Sequence, residues 1–339
     1  MSKKNSNVNL KNGFKDYTDL SKIFINFKKK LNSLNKKKYV VAVSGGPDSL
    51  GLVALTRAYS YEKKTKFHYV LVDHGIRKNS NQEAIQVKKL LKKKNISLKI
   101  LLNKKKITKN IQATARNIRY EILINYCKKY NIKVFFTAHT LEDQVETFFI
   151  RLSRGSGLKG LSAMQQVYKI NSQVSLYRPL LNVKKKFLIK ISKNIFGKYF
   201  KDPSNKNQRY LRTKVRSLKK PLEKSGIQYD QIFKSIQNLS SSKSTLEDYL
   251  NNISKNLIKE KNREIFIDLK KFKKQNDEIK LSIINQSIKK LKSNYYDIRS
   301  KKLVNLIKHL DKNDFKKSTL GGCIFLKKDG NLLLKIEKS

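Results

Sequence analysis

The chain has no tryptophan, and its 339 residues include only two cysteines, four prolines, four histidines and 25 acidic side chains. Each scarcity removes a class of explanation. Cys127 and Cys323 lie far apart and form no CxxC pair, so neither a disulfide framework nor a cysteine-ligated metal site is expected. No apolar run approaches the length of a membrane helix and no secretory hydrophobic segment opens the chain; no membrane association and a cytoplasmic location are expected. The hydrophobic share is a modest 39%, yet the length leaves room for two domains and a sizeable core.

The scarcity of acid accompanies an excess of base. Lys and Arg number 77, giving a formal charge of +52. A field of that sign attracts phosphodiester backbones. Lysine, asparagine and isoleucine are all abundant, however, and a compositional drift of that kind also fills solvated faces with lysine. The charge permits a nucleic-acid partner without proving one. Arginine, much rarer than lysine here, is more informative, because its planar fork is what lysine cannot replace. Most arginines fall between Arg116 and Arg216, and scarce acids gather at Asp48, Asp73, Asp143, Glu146 and Asp202. The first two-thirds of the chain therefore carries the chemistry.

Short apolar runs at Tyr39–Val43, Phe67–Val72, Ser97–Leu102 and Val134–Ala138 read as strands buried on both faces. Helical spacing fills the intervals: Leu50–Tyr59, Glu83–Lys93 with a capping box at Ser80 and Glu83, Ile111–Tyr130 and Leu141–Leu152. This alternation predicts an α/β fold with a parallel, doubly wound sheet, and ligands at the carboxyl ends of its strands. Residues 1–30 read as a basic tail, 31–221 as the catalytic domain and 222–339 as a helical, basic domain. A hairpin is expected around Asp329-Gly330 near the end.

The segment Ser44-Gly45-Gly46-Pro47-Asp48-Ser49 follows the first strand and opens a helix. It lacks the lysine and spacing of a Walker loop. It can still hold phosphate through backbone amides beside Gly45 and Gly46, the Ser44 and Ser49 hydroxyls, and a helix start suited to Pro47. Asp48 fits an anion site if a Mg²⁺ ion lies between carboxylate and phosphate. A plain strand–helix turn is the alternative.

SGGPDS in this setting resembles the pyrophosphate loop of the N-type ATP pyrophosphatases. VDHGIRKNS, ARNIRY, AHTLEDQVETFFIRLSRGSGLKGLSAM, RPLL and DPSNKNQRYLRTKVR follow in order. Over about Val40 to Pro221 they resemble the tRNA(Ile)-lysidine synthetase family. The family's DQxET pattern is kept at Asp143–Thr147, but Thr140 stands where a second histidine is common. The resemblance implies an adenine nucleotide alpha hydrolase-like fold and ATP, with Mg²⁺, as cofactor. It further implies a tRNA(Ile) with a CAU anticodon and free L-lysine as partners, in a ligase reaction that makes lysidine and shifts reading from AUG to AUA.

Asp143 and Glu146 share a helix face and can hold an ammonium group or Mg²⁺; Glu142 turns elsewhere. His139 can contact phosphate, orient Asp143, or be a satisfied polar histidine. Asp73, His74 and Arg77 either line the nucleotide pocket or cap the strand end. Arg116 is a candidate phosphate clamp, with an ion pair to Glu121 as the alternative. Arg151 and Arg154 are expected on a basic rim that admits tRNA, and Arg209, Arg212 and Arg216 on one helical stripe. Arg212 is placed first for stabilising charge on activated cytidine. A tRNA thiolase, an amidating enzyme of the same loop class and a non-catalytic RNA-binding protein are the competing readings; a sulfur-transferring enzyme needs paired cysteines.

Overall fold

The computed structural model describes residues 18–76, 79–103, 105, 107, 111–201, 210–292, 300–310 and 315–337. Arg77, the DPSN turn and Arg209 lie outside these residues. The chain divides into two compact units, up to Ser240 and from Ser241 onward.

The first unit is built on a sheet of strands β1 (Lys38–Val43), β2 (Lys66–Asp73), β3 (Leu98–Leu102), β4 (Val134–Phe136), β5 (Val167–Lys169) and β6 (Ser175–Tyr177), in the order β3-β2-β1-β4-β6-β5. All neighbouring pairs are parallel except the edge pair β5–β6. The central strand β1 sets Val43 opposite Leu71 of β2 and Val41 opposite Phe136 of β4. Val40, Val41, Phe135 and Phe136 are all fully buried, as expected of strands covered on both faces.

The covering helices are α1 (Thr18–Leu34), α2 (Pro47–Glu62), α3 (Ser80–Lys92), α4 (Ile111–Lys129), α5 (Leu141–Leu152), α6 (Leu158–Leu161) and α7 (Lys185–Phe196). After them come α8 (Leu211–Ser217), α9 (Lys219–Lys224) and the long α10 (Tyr229–Leu257). Helix α2 packs on α7 at Gly51, where an added Cβ would lie 3.1 Å from Leu188 Cδ2. This contact carries the cradle at the start of α2 and the start of α7 as one body.

Four expectations need correction. Residues 18–30, read as part of a tail, belong to α1, whose Leu20, Phe27 and Leu31 enter the main core. The capping box at Ser80 does not form: Asn79 is the cap residue and makes no side-chain cap hydrogen bond. The unit boundary lies inside α10, later than residue 222, because Tyr229, Ile232 and Ile236 pack with Leu141 and Val145 of α5. The second unit also has more strand than a single hairpin.

In that unit the hairpin of β10 (Cys323–Lys328) and β11 (Asn331–Ile336) turns at Asp329-Gly330. It is extended by β7 (Ile258–Lys261), β8 (Glu264–Asp268) and β9 (Lys317–Leu320) into an antiparallel sheet, β7-β8-β11-β10-β9. Helices α11 (Leu269–Lys273), α12 (Asp277–Leu291) and α13 (Ser300–Leu310) complete it, with Ile283, Ile284, Phe325 and Leu332 fully buried.

Candidate active site

The turn from β1 to α2 is shaped by Gly45, whose φ is +82°. A side chain there would be strained, and its Cβ would lie 2.5 Å from Val87 Cγ2. The Gly45 carbonyl accepts the Phe200 amide at 3.0 Å. Ser49 Oγ accepts the Ser44 amide at 3.2 Å and donates to the Gly46 carbonyl at 3.0 Å, so the loop is closed by its own hydroxyl. Ser44 Oγ lies 3.2 Å from Ser49 Oγ. Gly46 caps α2 in an extended conformation and Pro47 opens the first turn. The concave backbone and the positive end of α2 form a cradle for an anion.

Asp48 sits on that first turn and is unevenly satisfied. Its Oδ2 accepts Lys185 Nζ at 2.8 Å. Its Oδ1 is buried and has no hydrogen-bond partner. Burial pushes its carboxyl up to about 6, with Asp143 and Glu142 adding to the rise and Lys185 opposing it. For Lys185 the balance reverses: burial favours loss of the proton, but Asp48 outweighs it and raises the ammonium pKa. An orphaned carboxylate oxygen beside an anion cradle fits a divalent cation, which prefers oxygen ligands. Among the described residues no group of three or more His, Cys, Asp and Glu side chains is placed to hold a metal. A cation at Asp48 would therefore take most of its remaining ligands from phosphate and water.

At the carboxyl end of β4, Thr140 caps α5. Its hydroxyl accepts the Asp143 amide at 3.4 Å, and Asp143 Oδ2 accepts the Thr140 amide at 2.9 Å. The threonine in place of a second histidine thus orients Asp143 directly. Asp143 and Glu146 do share a face, and arginines on α8 occupy it. Arg212 donates from Nε to Glu146 Oε2 at 2.7 Å and from Nη2 to Asp143 Oδ1 at 2.8 Å. Arg216 donates from Nε to Glu146 Oε1 at 2.6 Å. Burial works against the Asp143 carboxylate, but Arg212 and the Thr140 amide hold its pKa below the ordinary value. Arg212 moves the opposite way: burial opposes its charge, while Asp143 and Glu146 raise its pKa.

His139 places Nδ1 2.8 Å from Thr137 Oγ1. Burial, with Arg178, Arg116 and Arg212 nearby, drives its pKa down to about 3 against the pull of Asp143; it is a neutral side chain in a positive field. Asp73 caps its own turn, its Oδ1 accepting the Gly75 amide at 3.0 Å. His74 Nε2 accepts Arg119 Nε at 3.2 Å; its Nδ1 is buried without a partner, and burial and Arg119 pull its pKa down to about 4. Arg116 does not pair with Glu121, which takes Lys105 at 2.9 Å; it lies 5.2 Å above the Tyr120 ring.

Arg151 is spent within the fold, donating to the Gly160 and Ala163 carbonyls at 2.7 and 2.8 Å. It braces the glycine-containing turn that was read as a rim. Arg154 is exposed on that turn.

Sequence reasoning missed three participants. Lys185 was hidden among three consecutive lysines. Glu142, set aside as facing away, accepts the Lys185 amide at 2.9 Å and so ties α5 to the start of α7. Arg178, buried at the end of β6, donates to the Gln165 carbonyl at 2.8 Å and keeps Nε unpartnered. Its RPLL setting was the available signal.

The two cysteines occupy separate hydrophobic cores, Cys127 with Leu123 and Phe135, and Cys323 with Phe325 and Leu334. Burial pushes the Cys127 thiol up to about 12. Neither is a poised nucleophile or cluster ligand.

A PP-loop domain family matches residues 20–222. A tRNA(Ile)-lysidine synthase from Orientia tsutsugamushi (strain Boryong) is 39% identical over 55% of this chain and 42% of its own length. One from Wolbachia pipientis wMel is 32% identical over 88% of this chain and 70% of its own. Among solved structures, the U34-tRNA thiolase NcsA from Methanococcus maripaludis superposes with a TM-score of 0.56 at 20% identity, over 66% of this chain and 80% of that one, a likeness of fold. The cradle after β1, the DQxET face at β4 and these matches converge: the chain belongs to the tRNA(Ile)-lysidine synthase family and contains its PP-loop domain.

Proposed function

We propose that this protein is an ATP-dependent ligase that joins L-lysine to C2 of the wobble cytidine in a tRNA(Ile) bearing a CAU anticodon. The observation that carries the reading is the uncompensated Asp48 oxygen beside an anion cradle, electrostatically coupled to a carboxylate–arginine cluster at the next strand end. The cradle amides and the hydroxyls of Ser44 and Ser49 bind the β- and γ-phosphates. Asp48 Oδ1 would hold Mg²⁺, which, when bound, neutralises charge on the departing pyrophosphate. The cytidine C2 oxygen attacks the α-phosphorus, an O–P bond forms, and pyrophosphate leaves. The lysine ε-amine then attacks C2, a C–N bond forms, and the C2–oxygen bond breaks to release AMP.

The attacking amine must be neutral, yet neighbouring carboxylates stabilise ammonium. Asp143 or Glu146 therefore has to accept a proton or pass it on. Both are engaged by arginine, so Arg212 moves from the carboxylates toward the developing charge on the adenylate as the amine takes its place. Neutral His139 accepts hydrogen bonds on this path without adding charge. Asp73, His74 and Arg116 line the nucleotide side. Arg154 and Arg209 contact the tRNA backbone, Arg216 stays on Glu146, and the basic second unit binds tRNA by shape and charge.

Purified protein incubated with tRNA(Ile) transcript, ATP, Mg²⁺ and labelled lysine tests this directly. Label is expected in tRNA, with pyrophosphate release that depends on tRNA and AMP release that depends on lysine. RNA binding with neither release would leave only a basic RNA-binding protein.

A further inference from the structure

At the opposite end of the same sheet lies a second feature that the reaction above does not use. A cavity of about 260 Å³ is lined by Lys36, Lys37, Lys38, Asn131 and Lys133. These residues precede or open β1 and precede β4, so they sit at the amino ends of strands whose carboxyl ends carry the cradle and the Asp143 face. The length of β1 puts the two about 20 Å apart. No carboxylate lines the cavity among the described residues. Lys66 joins the group, its Cα paired with Lys38 and its amide donating to the Lys37 carbonyl at 2.9 Å.

An independent observation adjoins the lysines. His68, two residues along β2 from Lys66, places Nδ1 3.1 Å from Tyr126 Oη. The Tyr126 and Tyr130 rings lie 4.5 Å apart and Tyr130 is 41% exposed. Tyr130 immediately precedes Asn131 of the cavity. Asn131, at φ +52°, turns the chain sharply from α4 toward β4, and the Tyr130 ring lies 5.6 Å from that of His68. Burial, with Lys66 and Lys38 nearby, lowers the His68 pKa.

Four lysines around a concavity attract consecutive phosphates. An exposed tyrosine backed by a second ring offers a stacking face. We infer that the amino-terminal edge of the sheet is a second RNA site, which takes a single-stranded segment with its phosphates over Lys36–Lys38 and Lys133 and a base on Tyr130. The site is remote from the cradle and does not rest on the reaction proposed above. A folded duplex is a poor fit, because its bases are not free to stack.

The test uses the full chain and a fluorescein-labelled oligouridylate of about twelve nucleotides, followed by anisotropy across a salt series. Tyr130→Ala is expected to weaken binding about fivefold or more. The pair Lys37→Gln and Lys133→Gln is expected to reduce the slope of log affinity against log salt by about 1.4 units, near 0.7 per lost phosphate contact. These lysines are exposed, so their replacement leaves the core intact. Inorganic polyphosphate separates a general anion site from an RNA site: its affinity should fall with the lysine pair and stay unchanged in Tyr130→Ala. The inference is overturned if Tyr130→Ala binds oligouridylate as the parent does. It is equally overturned if a control pair on α3, Lys88→Gln and Lys92→Gln, produces the same loss as the cavity pair.

Discussion

Two acidic centres at neighbouring strand ends are treated in opposite ways by the fold. Asp48 is under-supplied with partners: one oxygen has Lys185, the other has nothing, and its pKa is about 6. Asp143 and Glu146 are fully supplied, with two arginines and a threonine cap among them. An unmet carboxylate oxygen is costly unless something outside the protein completes it. A saturated pair holds its ions firmly and exchanges them only when a competing cation arrives. On the proposed reaction, the first centre gains a ligand and the second trades one.

The comparison breaks most sharply at Asp48. Asp48→Ala should lower tRNA-dependent pyrophosphate release by about 10³-fold, in the range of lost electrostatic stabilisation at a reacting phosphate. Filter binding of tRNA should change little. Equal loss in both assays would mean that the cradle has collapsed instead.

Arg212→Ala should be next. It leaves Asp143 and Glu146 buried with fewer donors and is expected to cost about 2–3 kcal/mol of stability, read from urea unfolding. Glu146→Gln removed together with Arg212 should recover part of that loss, since the stranded charge is gone. Additive losses in the double variant would remove the coupling on which the trading role depends.

Glu146→Gln alone should slow lysine transfer about 10- to 100-fold and leave adenylation within about threefold, as expected for loss of a proton acceptor. Single-turnover measurement of AMP and pyrophosphate release resolves the two steps. The reverse order would take Glu146 out of the amine site.

A further effect concerns pH. The folded pKa of Asp48, about 6, exceeds its ordinary 3.8. The folded state therefore binds the extra proton, and this contribution is present below about pH 4 and lost as pH rises through 6. About two units correspond to at most about 3 kcal/mol. Between pH 4 and 7 the Asp48→Asn variant should show a flatter stability profile than the parent. Identical profiles would mean that Asp48 does not titrate in that window.

Much of the first unit was legible in the sequence. Strands β1, β2 and β4 stand out because burial on both faces writes continuous apolar runs, β3 is an apolar edge strand with only Leu98 buried, and the apolar spacing of α5 bounded it at Leu141–Leu152. Strands β5 and β6 were not visible. Each has three residues, and Val167, Tyr168 and Lys169 are all exposed, so neither length nor alternation marks them. Helix α1 was hidden by lysines on its outer face, although Leu20, Phe27 and Leu31 recur at helical spacing. The acids of the site could be found because acids are rare in this chain. Lys185 could not, because one lysine among 77 basic residues carries no signal, and its contact with Asp48 spans 137 positions. Arg151 misled for the complementary reason: a rare arginine was read as a tRNA contact, whereas the fold spends it on two carbonyls of its own turn.

The most direct measurement is calorimetric titration of ATP into the parent and into Asp48→Asn, each with and without Mg²⁺. The parent should bind ATP more tightly with the ion present, and Asp48→Asn should lose that increment while keeping its magnesium-free affinity. An undiminished magnesium effect in the variant would contradict the assignment of the vacant Asp48 oxygen to a cation shared with the phosphates.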